Sequence, residues 1–141
     1  MTTRVVVDSS VALKWFLHEP DSDKAVLVLK PGAVLLAPDL LLAEVANGLR
    51  RQQRNNIITQ DAVQKAIAGL ASVFAELVPA EKLIVRALQN SQSLDHSIYD
   101  CLFLTVSQMH NVPLVTADAA FAAKLAKTPD ARNVILLSDW N

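Results

Sequence analysis

Glycine is scarce in this chain: Gly32, Gly48 and Gly69 are the only three. They cannot build a P-loop or a GxGxxG fingerprint, so phosphate cradles of those kinds are excluded. The single cysteine, Cys101, excludes an internal disulfide and a CxxC zinc site. His18, His96 and His110 lack zinc-ligand spacing. No apolar run approaches the roughly 20 residues of a membrane span. Strand-like RVVVD gives way at once to Ser9 and Ser10, which does not read as a signal peptide, so a cytoplasmic protein is expected. Excess positive charge is also missing. The net charge of −1 argues against a dedicated basic nucleic-acid binder.

What is present fits one domain over residues 1–141. Hydrophobic residues make up 52% and charged ones 19%, a balance that favours a packed core over disorder. Arg4 to Val7 reads as a short buried strand. Asp8, Ser9 and Ser10 supply capping chemistry for a helix through VALKWFL. A second helix is expected over about 22–30, then a strand over 33–37 and a long helix from Pro38-Asp39 to about Arg54. A helix from Thr59 to about Ala75, a short strand over 76–78 and a helix over roughly 80–92 follow. Ser97 and Asp100 form an S-x-x-D start for a helix reaching about His110. A strand over 113–116, a helix from Asp118 to Lys127 and a last strand over 133–137 complete the chain. Strands alternating with helices imply an α/β fold, an open parallel sheet of about five strands covered by helices on both faces.

Four acids then stand out: Asp8, Glu44, Asp100 and Asp118. Each lies at, or within about two turns of, the carboxyl end of an expected strand, where open α/β sheets place their sites. Acids without matching bases cannot persist uncompensated near a low-dielectric interior. A divalent cation held by oxygen ligands is the natural compensation. Each acid also has an ordinary alternative. Asp8 and Asp118 can cap helices, Asp100 occupies the capping-box position to Ser97, and Glu44 can face solvent beside Arg51. Asn47 lies three residues after Glu44, on the same helix face, and can orient it. Arg50, Arg51 and Arg54 can contact phosphates, or form a solvated helix end favoured by the macrodipole.

Taken together, VVVDSSVALKWFLHEP, LLLAEVANGLRR, SIYDCLFL and PLVTAD make the chain resemble the PIN-domain ribonucleases, most closely the VapC-type toxins of toxin–antitoxin pairs. These stretches follow the family's order over residues 4–118. The resemblance implies that Asp8, Glu44, Asp100 and Asp118 are the catalytic and metal-binding acids, with Asn47 and Thr116 accessory; Ser9, next to Asp8, is also read as accessory. It further implies a five-stranded parallel sheet, Mg²⁺ or Mn²⁺, an RNA substrate, a homodimer and a small VapB-like antitoxin. Trp15 and Phe16, expected at the end of the first helix, would offer that antitoxin an apolar groove if exposed.

Metal-assisted hydrolysis of RNA is therefore the expected activity, and two-ion chemistry explains why four acids are wanted. A phosphoryl-accepting receiver domain needs an aspartate after the third strand, and ELVPAE offers none. A D-x-D phosphatase fails at Asp8-Ser9-Ser10. A non-catalytic interaction module would be favoured by loss of an acid, and none is lost. A PIN nuclease of RNA maturation, acting without an antitoxin, is not separated from a toxin by these residues. No histidine reads as a general base, since all three lie outside the motifs.

Overall fold

The computed structural model describes residues 2–141. Its strands are β1 (Arg4–Val7), β2 (Val34–Pro38), β3 (Glu76–Val78), β4 (Leu114–Thr116) and β5 (Val134–Leu136). They form one parallel sheet in the order β3-β2-β1-β4-β5. Val5, Val6 and Val7 of β1 are fully buried. Successive side chains of a strand point to opposite faces, so both faces at the centre of the sheet are covered.

The helices are α1 (Ser9–Leu13), α2 (Ser22–Leu27), α3 (Leu40–Arg54), α4 (Gln60–Leu70), α5 (Ile84–Leu94), α6 (Ile98–His110) and α7 (Ala119–Leu125), with short 3₁₀ turns between some of them. α3 is amphipathic and buries Leu41, Val45, Gly48 and Leu49. α6 packs on β1 and β2 on one side and on α5 on the other. Its stretch from Cys101 to Ser107 is buried throughout. The two hydroxyls in that stretch are satisfied locally. Thr105 Oγ1 donates to Cys101 O at 2.7 Å, and Ser107 Oγ donates to Val112 O at 2.5 Å.

The first helix is shorter than the sequence suggests. α1 stops at Leu13, not at Leu17. The N–H groups of Lys14, Trp15 and Phe16 bond carbonyls three residues back, on Val11, Ala12 and Leu13, so the chain tightens into a turn. Tertiary bonds hold that turn. Trp15 Nε1 donates to Ala25 O at 2.8 Å, and Lys14 Nζ reaches Pro20 O at 2.9 Å. The helix expected to run to Ala75 likewise ends at Leu70, and a 3₁₀ turn carries on to Val73.

Topology fixes where a site can lie. From β1 the chain builds outward through β2 and β3, then crosses back to β4 and β5 on the other side of β1. The reversal falls between β1 and β4. A crevice opens at the carboxyl ends of strands flanking such a switch, and Asp8 and Thr116 stand at those two ends.

Candidate active site

Asp8 leaves β1 and occupies the N-cap position of α1, yet its side chain caps nothing. Ser9 and Ser10 do not cap the helix with their hydroxyls either. Ser10 Oγ donates to Asp8 Oδ2 at 2.5 Å, and Thr116 Oγ1 donates to the same oxygen at 3.0 Å. Ser10 Oγ also accepts from Ala117 N at 3.0 Å, and Thr116 Oγ1 accepts from Asp118 N at 3.1 Å. These bonds stitch α1 to the turn after β4. The other carboxylate oxygen, Asp8 Oδ1, is buried and has no partner. Asp8 is 4% exposed.

Ser9 Oγ donates to Glu44 Oε1 at 2.9 Å, which ties α1 to α3 and orients the helical glutamate. The sequence suggested Asn47 for that role. Asn47 shares the cavity wall with Glu44 but is exposed. Asp100 does not complete a capping box with Ser97. Ser97 Oγ accepts from Tyr99 N, while Asp100 Oδ2 pairs with His96 Nε2 at 2.6 Å. Asp118 does cap its helix, accepting from Phe121 N at 3.0 Å through Oδ1.

A cavity of about 280 Å³ is lined by Asp8, Glu44, Asp100 and Asp118, together with Ser9, Ser10, Leu13, Asn47, Gly48 and Arg51. The ion pairs among the described residues are Lys14–Glu19, Lys65–Asp61 and His96–Asp100, so none reaches Asp8, Glu44 or Asp118. Burial pushes the Asp8 carboxyl up to about 6; the Asp100 and Glu44 charges add to this, while the Ser10 and Thr116 hydrogen bonds oppose it. Glu44 is also raised, first by burial and then by Asp100, with the Ser9 hydrogen bond opposing.

The donor chemistry fits a hard divalent cation: carboxylate oxygens, one of them buried and unsatisfied, with no basic side chain paired to it. The side chains are not set in a finished ion cage. Among the described residues no group of three His, Cys, Asp or Glu is arranged to hold an ion. The bonds to His96 and Phe121 N each occupy one oxygen of Asp100 and Asp118.

The three arginines diverge. Arg51 lines the acid cavity, and Arg50 lines a separate groove with Gln53, Gln60 and Gln64. Arg54 lines neither. Trp15 and Phe16 are half-buried against the core, with Trp15 6.0 Å from Phe74 by ring centroids. Neither lines the acid cavity; from that stretch only Leu13 does. His96 is the residue that sequence reasoning passed over.

Fold and cavity together define a parallel α/β protein with an acid-walled crevice at its switch point. The PIN domain model matches residues 5–126, and the chain belongs to the PIN-domain family. It is 30% identical over 120 residues to ribonuclease VapC1 from two strains of Mycobacterium tuberculosis, over 84% of this chain and 88% of the relative. Solved structures share the fold. A toxin–antitoxin complex from Klebsiella pneumoniae matches with TM-score 0.67 and 17% identity over 94% of this chain and 97% of that one. A protein from Pyrobaculum aerophilum matches with TM-score 0.71 and 19% identity, over 96% and 85%. VapBC2 from Rickettsia felis, bound to a DNA fragment from its promoter, matches with TM-score 0.61 and 15% identity, over 95% and 97%. No helix among the described residues is long and apolar enough to cross a membrane.

Proposed function

We propose that this protein is a metal-dependent endoribonuclease and the toxic component of a toxin–antitoxin pair. The observation that carries the reading is Asp8 Oδ1, buried and unpartnered beside a cavity that Asp8 shares with Glu44, Asp100 and Asp118. The kinship with ribonuclease VapC1 supplies the substrate class, RNA.

Asp8, Glu44, Asp100 and Asp118 would hold Mg²⁺ or Mn²⁺. When bound, the cation supplies Lewis-acid neutralisation of the charge that builds on the phosphate oxygens during hydrolysis. The chain's own groups do the rest. Ser10 and Thr116 hold the Asp8 carboxylate in one rotamer, leaving Oδ1 free. Ser9 holds Glu44. Arg51 places a guanidinium on the cavity wall, where it can take a phosphate oxygen, and Asn47 offers an amide donor on the same wall. Such contacts grip the RNA backbone without reading its bases.

The test is cleavage of RNA by purified protein with and without a chelator. Asp8→Asn keeps the side-chain volume and removes the charge, so it should remove most cleavage while the protein stays folded. Chelation should do the same to the wild type, and added Mn²⁺ should restore it. Undiminished cleavage in EDTA would overturn the metal dependence. The antitoxin belongs to the same reading, supported by neighbours in fold that include a toxin–antitoxin complex and VapBC2. Coexpression with the product of the reading frame immediately upstream should give a stable complex with suppressed cleavage. Homodimer formation is part of this reading too, and sedimentation of the purified protein tests it.

A further inference from the structure

His96 is held in place from several sides. It follows Asp95, which ends α5 in the left-handed region at φ 50°. Its backbone is pinned at both ends by Ser91: His96 N donates to Ser91 O at 3.2 Å, and His96 O accepts from Ser91 Oγ at 2.5 Å. Its ring stacks on Phe121, with centroids 4.6 Å apart and planes 22° from parallel. What remains is Nε2, aimed at Asp100 Oδ2 across 2.6 Å.

Phe121 serves a second acid. Its ring is buried under His96, and its backbone N–H donates to Asp118 Oδ1. The third and fourth acids of the cavity are thus oriented from one residue, Asp118 directly and Asp100 through the imidazole. Asp100 needs such a hold. Its charge is felt unfavourably by both Asp8 and Glu44, and mutual repulsion would swing an untethered carboxylate outward to solvent. With the bond to His96 made, Asp100 still lines the cavity.

We propose that His96 is a positioning residue, which uses the Phe121 stack to fix the Asp100 carboxylate at the cavity wall for cation binding. The role rests on the metal site of the proposed function. It follows the pattern in which a donor behind a ligand fixes that ligand's orientation, and loss of such a donor costs about 10–100-fold in metal affinity.

Mn²⁺ binding to the full chain, measured by calorimetry without RNA, tests the role apart from activity. His96→Phe keeps an aromatic ring on Phe121 and removes the donor. Its Mn²⁺ affinity should fall by about 10–100-fold while the thermal midpoint stays near wild type. His96→Gln restores a donor and should recover most of the affinity. In RNA cleavage, kcat should fall more than KM rises. If the phenylalanine ring does not fit, His96→Ala carries the same comparison. Wild-type Mn²⁺ affinity in a folded His96→Phe protein would overturn the positioning role alone, provided Asp100→Asn loses binding. Failure of the wild type to bind Mn²⁺, or full binding by Asp100→Asn, would remove the metal role of Asp100 and this role with it.

Discussion

Thr116 Oγ1 donates to Asp8 Oδ2 across 3.0 Å, a hydrogen bond between the carboxyl ends of two neighbouring parallel strands. It forms where the strand order reverses, between two residues that are both buried. Thr116→Val keeps the shape and removes the donor. Ionised Asp8 would then rely on Ser10 alone. A hydrogen bond to a charged group contributes about 1.5–3 kcal/mol, so a loss of that order is expected at neutral pH. Urea unfolding at two pH values checks the cause. The loss should shrink near pH 4, where Asp8 is protonated. An equal loss at both values would assign the effect to the bond that Thr116 accepts from Asp118 N.

Asp8 itself makes stability depend on pH. Its carboxyl is raised from 3.8 to about 6 in the folded, metal-free protein, chiefly by burial. The folded state therefore binds its proton more tightly than the unfolded state. That contribution is fully present below about pH 4 and is lost as pH rises through about 6. A shift of this size corresponds to roughly 3 kcal/mol as an order of magnitude. Asp8→Asn removes the titration. The variant should be more stable than the wild type at pH 7.5, and the gap should close as pH falls to 4. Mn²⁺ should narrow the gap at pH 7.5 by stabilising only the wild type. A gap that does not change with pH would place the cause in packing.

Much of this cavity is legible in the sequence. Asp8 and Asp118 follow short β-branched strands, and hydrophobic periodicity places Glu44 on a helix close behind another strand. Period and topology together bring those residues to one sheet end. Distant partners were not legible. α1 ends early where Trp15 bonds Ala25 O, ten residues on, a partner that the helical pattern of VALKWFL does not encode. Asp100 sits where a capping box would use it, but its carboxylate pairs with His96, whose ring stacks on Phe121, remote in sequence. The spacing of four between His96 and Asp100 was the available signal. It was obscured because His96 precedes the helix rather than lying on it.

The divergence of the arginines gives a kinetic prediction. Arg51 lines the acid cavity and Arg54 lines neither cavity nor groove. Arg51→Ala should weaken RNA binding and raise KM, and should lower the slope of log affinity against log salt by about 1, the loss of one phosphate contact. Arg54→Ala should leave slope and KM near wild type. Binding measured across a salt series separates the two. Equal slopes for Arg51→Ala and wild type would show that the guanidinium meets no phosphate.

At Gly48, α3 comes close to Leu13 of α1. A Cβ built there would lie 2.9 Å from Leu13 Cδ1 and 3.0 Å from Leu13 Cδ2. Those atoms are the far end of a flexible, half-buried side chain, which can rotate away from a single methyl. Alanine is also favoured over glycine inside a helix by about 1 kcal/mol. Gly48→Ala should therefore change stability by less than about 1 kcal/mol, the two effects opposing each other. Leu13 already lines the acid cavity with Glu44 and Asn47, so a rotation toward that side narrows the cavity. Cleavage should suffer where stability does not, with KM for RNA rising as the cavity narrows. Gly48→Val adds two further methyls and exceeds what one rotamer change can absorb. Overpacking of that kind costs about 1–3 kcal/mol, and it would also part α1 from α3 where Ser9 donates to Glu44. Thermal melts and steady-state cleavage of both variants separate the effects. Normal KM in Gly48→Ala would mean that Leu13 turned toward the core, and a stability loss should then accompany it.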